Sequence, residues 1–224
     1  MRSDKLTLYF FILVSVTHLL FLLIPLESLQ FVSKPLIIPS LAIHVLSLKR
    51  AKKINFSPML WIAMILAWGG DISLMFEGES MFIIGLLCFL LTQIIYILLY
   101  RGARDINGEP LNMLMKIRYS FSIIVIGIAI YYLVLPFLGD LIIPVAAYVI
   151  VIVLMALNAV YRYGMTNNAS FWVVLTGALL FMTSDSLLAI DTFLPDITVH
   201  SFWVMSTYIV AQYLIIYGLL KHFD

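Results

Sequence analysis

Apolar residues in this chain gather into long, unbroken runs, and polar residues punctuate those runs rather than alternate with apolar ones. A membrane-spanning helix needs ~20 mostly apolar residues, whereas a barrel strand needs ~10 residues of alternating character. The runs fit the first template. They predict eight helices, over 6–25, 32–48, 58–76, 81–100, 118–138, 141–161, 170–190 and 199–219. The loops between them are short and leave no room for a soluble domain. The expected fold is therefore all-α, a single polytopic bundle of eight transmembrane helices over residues 1–224. The first run is too long for the apolar part of a signal peptide, and Ile24-Pro25-Leu26 offers no small-residue cleavage site.

Composition removes the alternatives. Hydrophobic residues make up 63% of the chain and charged residues 11%, with a mean hydropathy of +1.09. A soluble domain carries roughly 25% charged residues, so a water-facing surface cannot be built here. The single cysteine, Cys88, excludes an intramolecular disulfide and any paired-cysteine zinc motif. A net charge of +1 gives no reason to expect a nucleic-acid partner. Nothing in the pattern specifies an oligomeric state.

Charge placement predicts orientation. Under the eight-helix scheme Arg2, Lys5, Lys49, Arg50, Lys52, Lys53, Arg101, Arg104, Lys116, Arg118, Arg162 and Lys221 all fall on one side. Glu27, Glu77, Glu79, Asp140, Asp191 and Asp196 occupy the opposite loops, which hold no lysine or arginine. The positive-inside rule then puts both termini in the cytoplasm. The expected location is the bacterial inner (plasma) membrane.

Three formal charges remain inside the spans: Lys34, Asp71 and Asp185. Such a charge costs ~2.5–3.5 kcal/mol near the bilayer centre, and it usually faces a bundle interior or a wet cavity. From the expected span ends, each aspartate lies ~7–8 Å below the outer surface at 1.5 Å per residue, and Lys34 two or three residues below it. All three are thus expected to converge on one polar layer near the non-cytoplasmic face, with His18 within reach. Asp71 stands in Trp68-Gly69-Gly70-Asp71 and Asp185 in Thr183-Ser184-Asp185-Ser186. Each opens a helix pair whose second member carries glutamine and tyrosine, Gln93 and Tyr96 or Gln212 and Tyr213, which suggests a faint parallel repeat. Tyr208 and Gln212, one turn apart, are expected to line a cavity below the aspartates. His44 reads as an interfacial residue, and Asn158 as an interhelical hydrogen-bonding group.

Other readings use the same residues. Lys34 could snorkel to the interface, and the aspartates could pair with it or with polar neighbours to fix helix packing. A proton-coupled or small-molecule transporter could be built on the Asp71, Asp185 and Lys34 cluster. The chain lacks a Gly-x-Ser-x-Gly elbow, a His-Glu-x-x-His pair, a Walker loop and a dinucleotide fingerprint. Metal chemistry on the aspartates and His18 ranks below metal-free acid–base work, so no metal and no cofactor is expected.

Four pieces of the chain resemble the YhhN family of membrane proteins, which includes the lysoplasmalogenases. They are Ser33-Lys34-Pro35-Leu36; Gly70-Asp71 with Leu74-Met75; Gly177-Ala178-Leu179-Leu180-Phe181 running into Ser184-Asp185-Ser186-Leu187; and Thr207-Tyr208 followed by Ala211-Gln212-Tyr213-Leu214. One departure stands out. Gln93 occupies a position that is often histidine in the family, and a glutamine cannot transfer protons at neutral pH.

The resemblance implies hydrolysis of the vinyl-ether bond of lysoplasmalogen-like lysolipids, giving a fatty aldehyde and a glycerophospho-alcohol. Asp71 and Asp185 would be the catalytic acid and base, in roles the sequence does not divide between them. Lys34, Tyr208, Gln212 and His18 would bind the lysolipid, with Lys34 at its phosphate.

Overall fold

The computed structural model describes residues 2–24, 27–53, 57–195 and 197–223, without the side chains of positions 2, 3 and 27. Pro25, at the expected end of the first span, and Asp196 lie outside the described residues, as do the side chains of Arg2 and Glu27. Every regular element among the described residues is helical. The helices are α1 (Arg2–Leu22), α2 (Glu27–Ser33), α3 (Ile37–Lys52), α4 (Met59–Ser73), α5 (Glu79–Gly102), α6 (Met113–Val134), α7 (Ile142–Val160), α8 (Asn168–Phe193) and α9 (Ser201–His222).

Helices follow from the medium as much as from the residues. Hydrocarbon offers no partner to a backbone N–H or C=O, so a spanning segment must satisfy its own. Among the described residues seven stretches are long and apolar enough to cross a membrane, with α2 and α3 joined as one, Ser28–Lys52. The remaining apolar helix, α4, has 15 residues, about 22 Å at 1.5 Å per residue. Side chains facing outward are those that lipid tolerates: Ile143 is 80% exposed, Tyr132 75% and Leu6 71%. The chain is an integral membrane protein.

The second span differs from the expected 32–48. It opens at Ser28, within α2, and breaks, because Lys34–Leu36 form a 3-10 turn between α2 and α3. Pro35 supplies no backbone donor, which favours such a break. The polar residues Glu27, Ser28 and Gln30 disguise α2 in the sequence. Span ends shift elsewhere too. Asp71 lies two residues before the end of α4, and Asp185 eight before the end of α8. Helix ends therefore do not repeat the equal depth that the expected spans gave the two acids.

Two compact units divide the chain, residues 1–95 with 223–224, and residues 96–222. In the first, α1 packs along α3, and α3 meets α4. Gly70 of α4 lies under the ring of Phe89 of α5, where a Cβ would stand 2.7 Å from a ring carbon. Only glycine admits that approach.

In the second unit α8 and α9 form the tightest pair. A Cβ on Gly177 would meet the backbone nitrogen of Ile215 at 2.8 Å, and one on Gly218 would meet that of Val174 at 2.9 Å. The glycines face across the seam in both directions, and such small-residue contacts let membrane helices approach closely. Ser184 Oγ donates to Val204 O at 2.9 Å at the far end of the same seam. The start of α8 is capped by Asn167, whose side chain accepts from Ser170 N at 2.8 Å. Asn112 caps α6 in the same way, accepting from Met115 N at 2.9 Å.

Candidate functional site

In the first unit the break after α2 sets the position of Lys34. Trp68 Nε1, one turn before Asp71 on α4, donates to Pro35 O at 2.8 Å and straps α4 to the break. Asp71 is 2% exposed, and its charge acts on the half-buried Lys34. His18 on α1 is 1% exposed, with Nδ1 2.8 Å from Ser33 Oγ. The charge of Lys34 also reaches the His18 ring. This unit therefore brings His18, Lys34 and Asp71 together. Lys34 stands further into its span than expected, because that span opens at Ser28.

In the second unit Asp185 projects from α8, and its Oδ2 accepts a hydrogen bond from the phenol of Tyr148 on α7. Tyr148 was not among the expected site residues. It had one signal: together with Asn158 it is the only polar side chain in the 19 residues of α7.

Tyr208 and Gln212 both lie in the packed interior of α9. The ring of Tyr208 packs edge-on against Phe181, one turn before Asp185, at 5.9 Å. Gln212 Oε1 accepts from Tyr96 OH at 2.5 Å, and the Tyr96 ring in turn packs edge-on with Phe181, 6.3 Å between centroids. Gln212 Nε2 is buried and has no partner among the described residues. Tyr96 and Tyr213, matched in the faint repeat, play different parts: Tyr213 stacks on Tyr217 at 5.5 Å. Gln93 is fully buried.

The loop cation Arg162 is a surprise of a different kind. It is 0% exposed, and burial pushes its guanidinium down to about 10, which leaves it charged at neutral pH. Its Nη2 donates to Ser170 Oγ at 2.7 Å and its Nε to Ala103 O at 3.2 Å. Ser170 Oγ passes the bond on to Gly218 O at 2.7 Å. Asn158 does bridge helices, accepting from Arg101 Nε at 3.1 Å. His44 is not interfacial; it is 3% exposed and bonded to Thr7 Oγ1 at 3.1 Å. Among the described residues no three of histidine, cysteine, aspartate and glutamate are grouped to hold a metal ion.

Known proteins place these residues in a family. Residues 29–219 match the YhhN family. The chain is also similar to the lysoplasmalogenase TMEM86A of Bos taurus, with 29% identity over 159 residues, covering 70% of this chain. The matched stretch spans only 62% of that relative's length. No solved structure matches the chain. Every candidate residue from Lys34 to Gln212 falls inside the family match, and the chain belongs to the YhhN family.

Proposed function

We propose that this protein is a membrane-embedded hydrolase that cleaves the vinyl-ether bond of lysoplasmalogen-like lysolipids, with Asp71 and Asp185 as its acid–base pair. The observation that carries the reading is the setting of the two acids. Each is held on a membrane helix beside a group suited to it, Asp71 in the field of Lys34 and Asp185 on the phenol of Tyr148. The similarity to a protein named lysoplasmalogenase supports the choice of substrate.

The chemistry needs two carboxyls in different states. A protonated carboxyl transfers its proton to the β-carbon of the vinyl ether, and the C=C π pair forms the new C–H bond. The resulting oxocarbenium ion is attacked at its α-carbon by water, while the ionised carboxyl takes a proton from that water. The hemiacetal so formed gives its O–H proton to the first carboxylate while the second carboxyl protonates the leaving glycerol oxygen; the C–O bond breaks, releasing the aldehyde and the glycerophospho-alcohol and restoring both carboxyls. Lys34 holds the phosphate. The working location is the bacterial inner membrane, with both termini in the cytoplasm and all eight spans acting as one domain.

Purified protein in detergent, given lysoplasmalogen, is expected to release fatty aldehyde. Asp71→Asn and Asp185→Asn should each lower turnover at least ~100-fold, the low end of what acid–base catalysis contributes. Asparagine keeps the shape without burying a charge, so melting temperature should hold. Absence of aldehyde from wild-type protein, with flux of substrate across proteoliposomes, would establish a carrier instead. Full activity in either variant would end the two-carboxyl mechanism.

A further inference from the structure

The proton arrangement at His18 can be assigned from its neighbours. Ser33 has one hydroxyl proton, and Leu29 O at 2.7 Å, with Gln30 O at 3.3 Å, is placed to accept it. With the proton there, the 2.8 Å contact between Ser33 Oγ and His18 Nδ1 is made by an Nδ1–H donating to the hydroxyl oxygen. Nε2 is then a bare lone pair. It is buried, and it has no hydrogen-bond partner among the described residues. Nε2 thus lacks a donor, and buried acceptors are rarely left without one.

We propose that Nε2 of His18 accepts the free glycerol hydroxyl of a single-chain lipid, and so selects lysolipids over lipids acylated at that position. This rests on the lysolipid reading above, with phosphate at Lys34. In a lysoglycerolipid the carbon bearing the free hydroxyl adjoins the carbon bearing the phosphate ester. The groups that would receive them are also adjacent, since Ser33, which holds the His18 ring, directly precedes Lys34. An acylated oxygen has no proton to give, and its chain would have to enter where His18 is 1% exposed.

Binding of a non-cleavable alkyl-ether lysolipid is compared with binding of its analogue carrying hydrogen in place of the hydroxyl. Wild-type protein in detergent should prefer the hydroxyl ligand about tenfold, the scale of one well-made hydrogen bond. His18→Asn retains an amide N–H to reach Ser33 and has no atom at the position of Nε2. It should bind both ligands equally, at the wild-type affinity for the deoxy ligand, with an unchanged melting temperature. Equal binding by wild type would overturn the contact, even if vinyl-ether turnover were intact. A tenfold preference surviving in His18→Asn would also overturn it, leaving Nε2 to a water. If wild type discriminates between the ligands yet releases no aldehyde, the hydroxyl contact stands and the hydrolase reading falls.

Discussion

Tyr148 on α7 donates its phenol proton to Oδ2 of Asp185 on α8, so the carboxyl plane of that acid is set by a neighbouring helix as well as by its own rotamer. Its Oδ2 is the atom so engaged. Hydrogen bonds to charged groups contribute more than neutral ones, about 1.5–3 kcal/mol. Tyr148→Phe should therefore lower kcat roughly tenfold or more. KM should change little, because the phenol acts through Asp185 rather than on the lipid. Steady-state kinetics beside a melting curve would test this; a parallel loss of stability and activity would assign Tyr148 to packing.

Lys34 makes a different demand. If it grips the phosphate, Lys34→Met should raise KM with a smaller change in kcat, the signature of lost binding common to ground and transition states. A fall in kcat at constant KM would place the lysine with the reacting carboxyls.

The buried pair of Tyr96 and Gln212 lends itself to a thermodynamic cycle. Tyr96→Phe removes the donor and strands Gln212 Oε1, which should destabilise the protein by about 1–3 kcal/mol. Replacing both groups, Tyr96→Phe with Gln212→Leu, removes the stranded acceptor and should recover part of the loss. Melting temperatures of the four proteins in detergent supply the numbers. Additive losses would show that the 2.5 Å bond carries no coupling.

The glycine seam should be intolerant. Gly177→Ala and Gly218→Ala each press a methyl group on backbone atoms of the facing helix, and overpacking of this kind costs about 1–3 kcal/mol. Gly102→Ala meets nothing within 4 Å and serves as the control. Equal melting temperatures for all three would mean that α8 and α9 can separate freely.

Much of this architecture could be read from apolar run lengths alone, because a bilayer leaves a chain of this composition few options. The three intramembrane charges also stood out, since each is expensive where it lies. What stayed hidden depends on partners distant in the chain. Tyr96 and Gln212 lie 116 residues apart, and neither reveals its bond locally. Tyr148 looks like any aromatic residue in an apolar helix until Asp185 is placed opposite it. Arg162 reads as a hydrated loop cation because charge patterning records sign and position, not water. The break at Lys34 escaped because α2 carries enough polar residues to resemble a loop.

Arg162 also has something to say about the order of events in biogenesis. Its guanidinium leans on Ser170 Oγ, and that hydroxyl is satisfied by Gly218 O on α9. Thr166 Oγ1 lies 2.7 Å from His222 Nδ1, and Asn167 Nδ2 donates to Lys221 O at 2.9 Å. Half of this clasp is synthesised about 50 residues before the other half, so it cannot shut when α8 leaves the ribosome. Until α9 is in place, Ser170 Oγ lacks Gly218 O, and the setting that leaves Arg162 0% exposed is incomplete. Closure of the clasp therefore waits for α9, and the last helix of the chain completes the surroundings of a cation laid down before α8 begins.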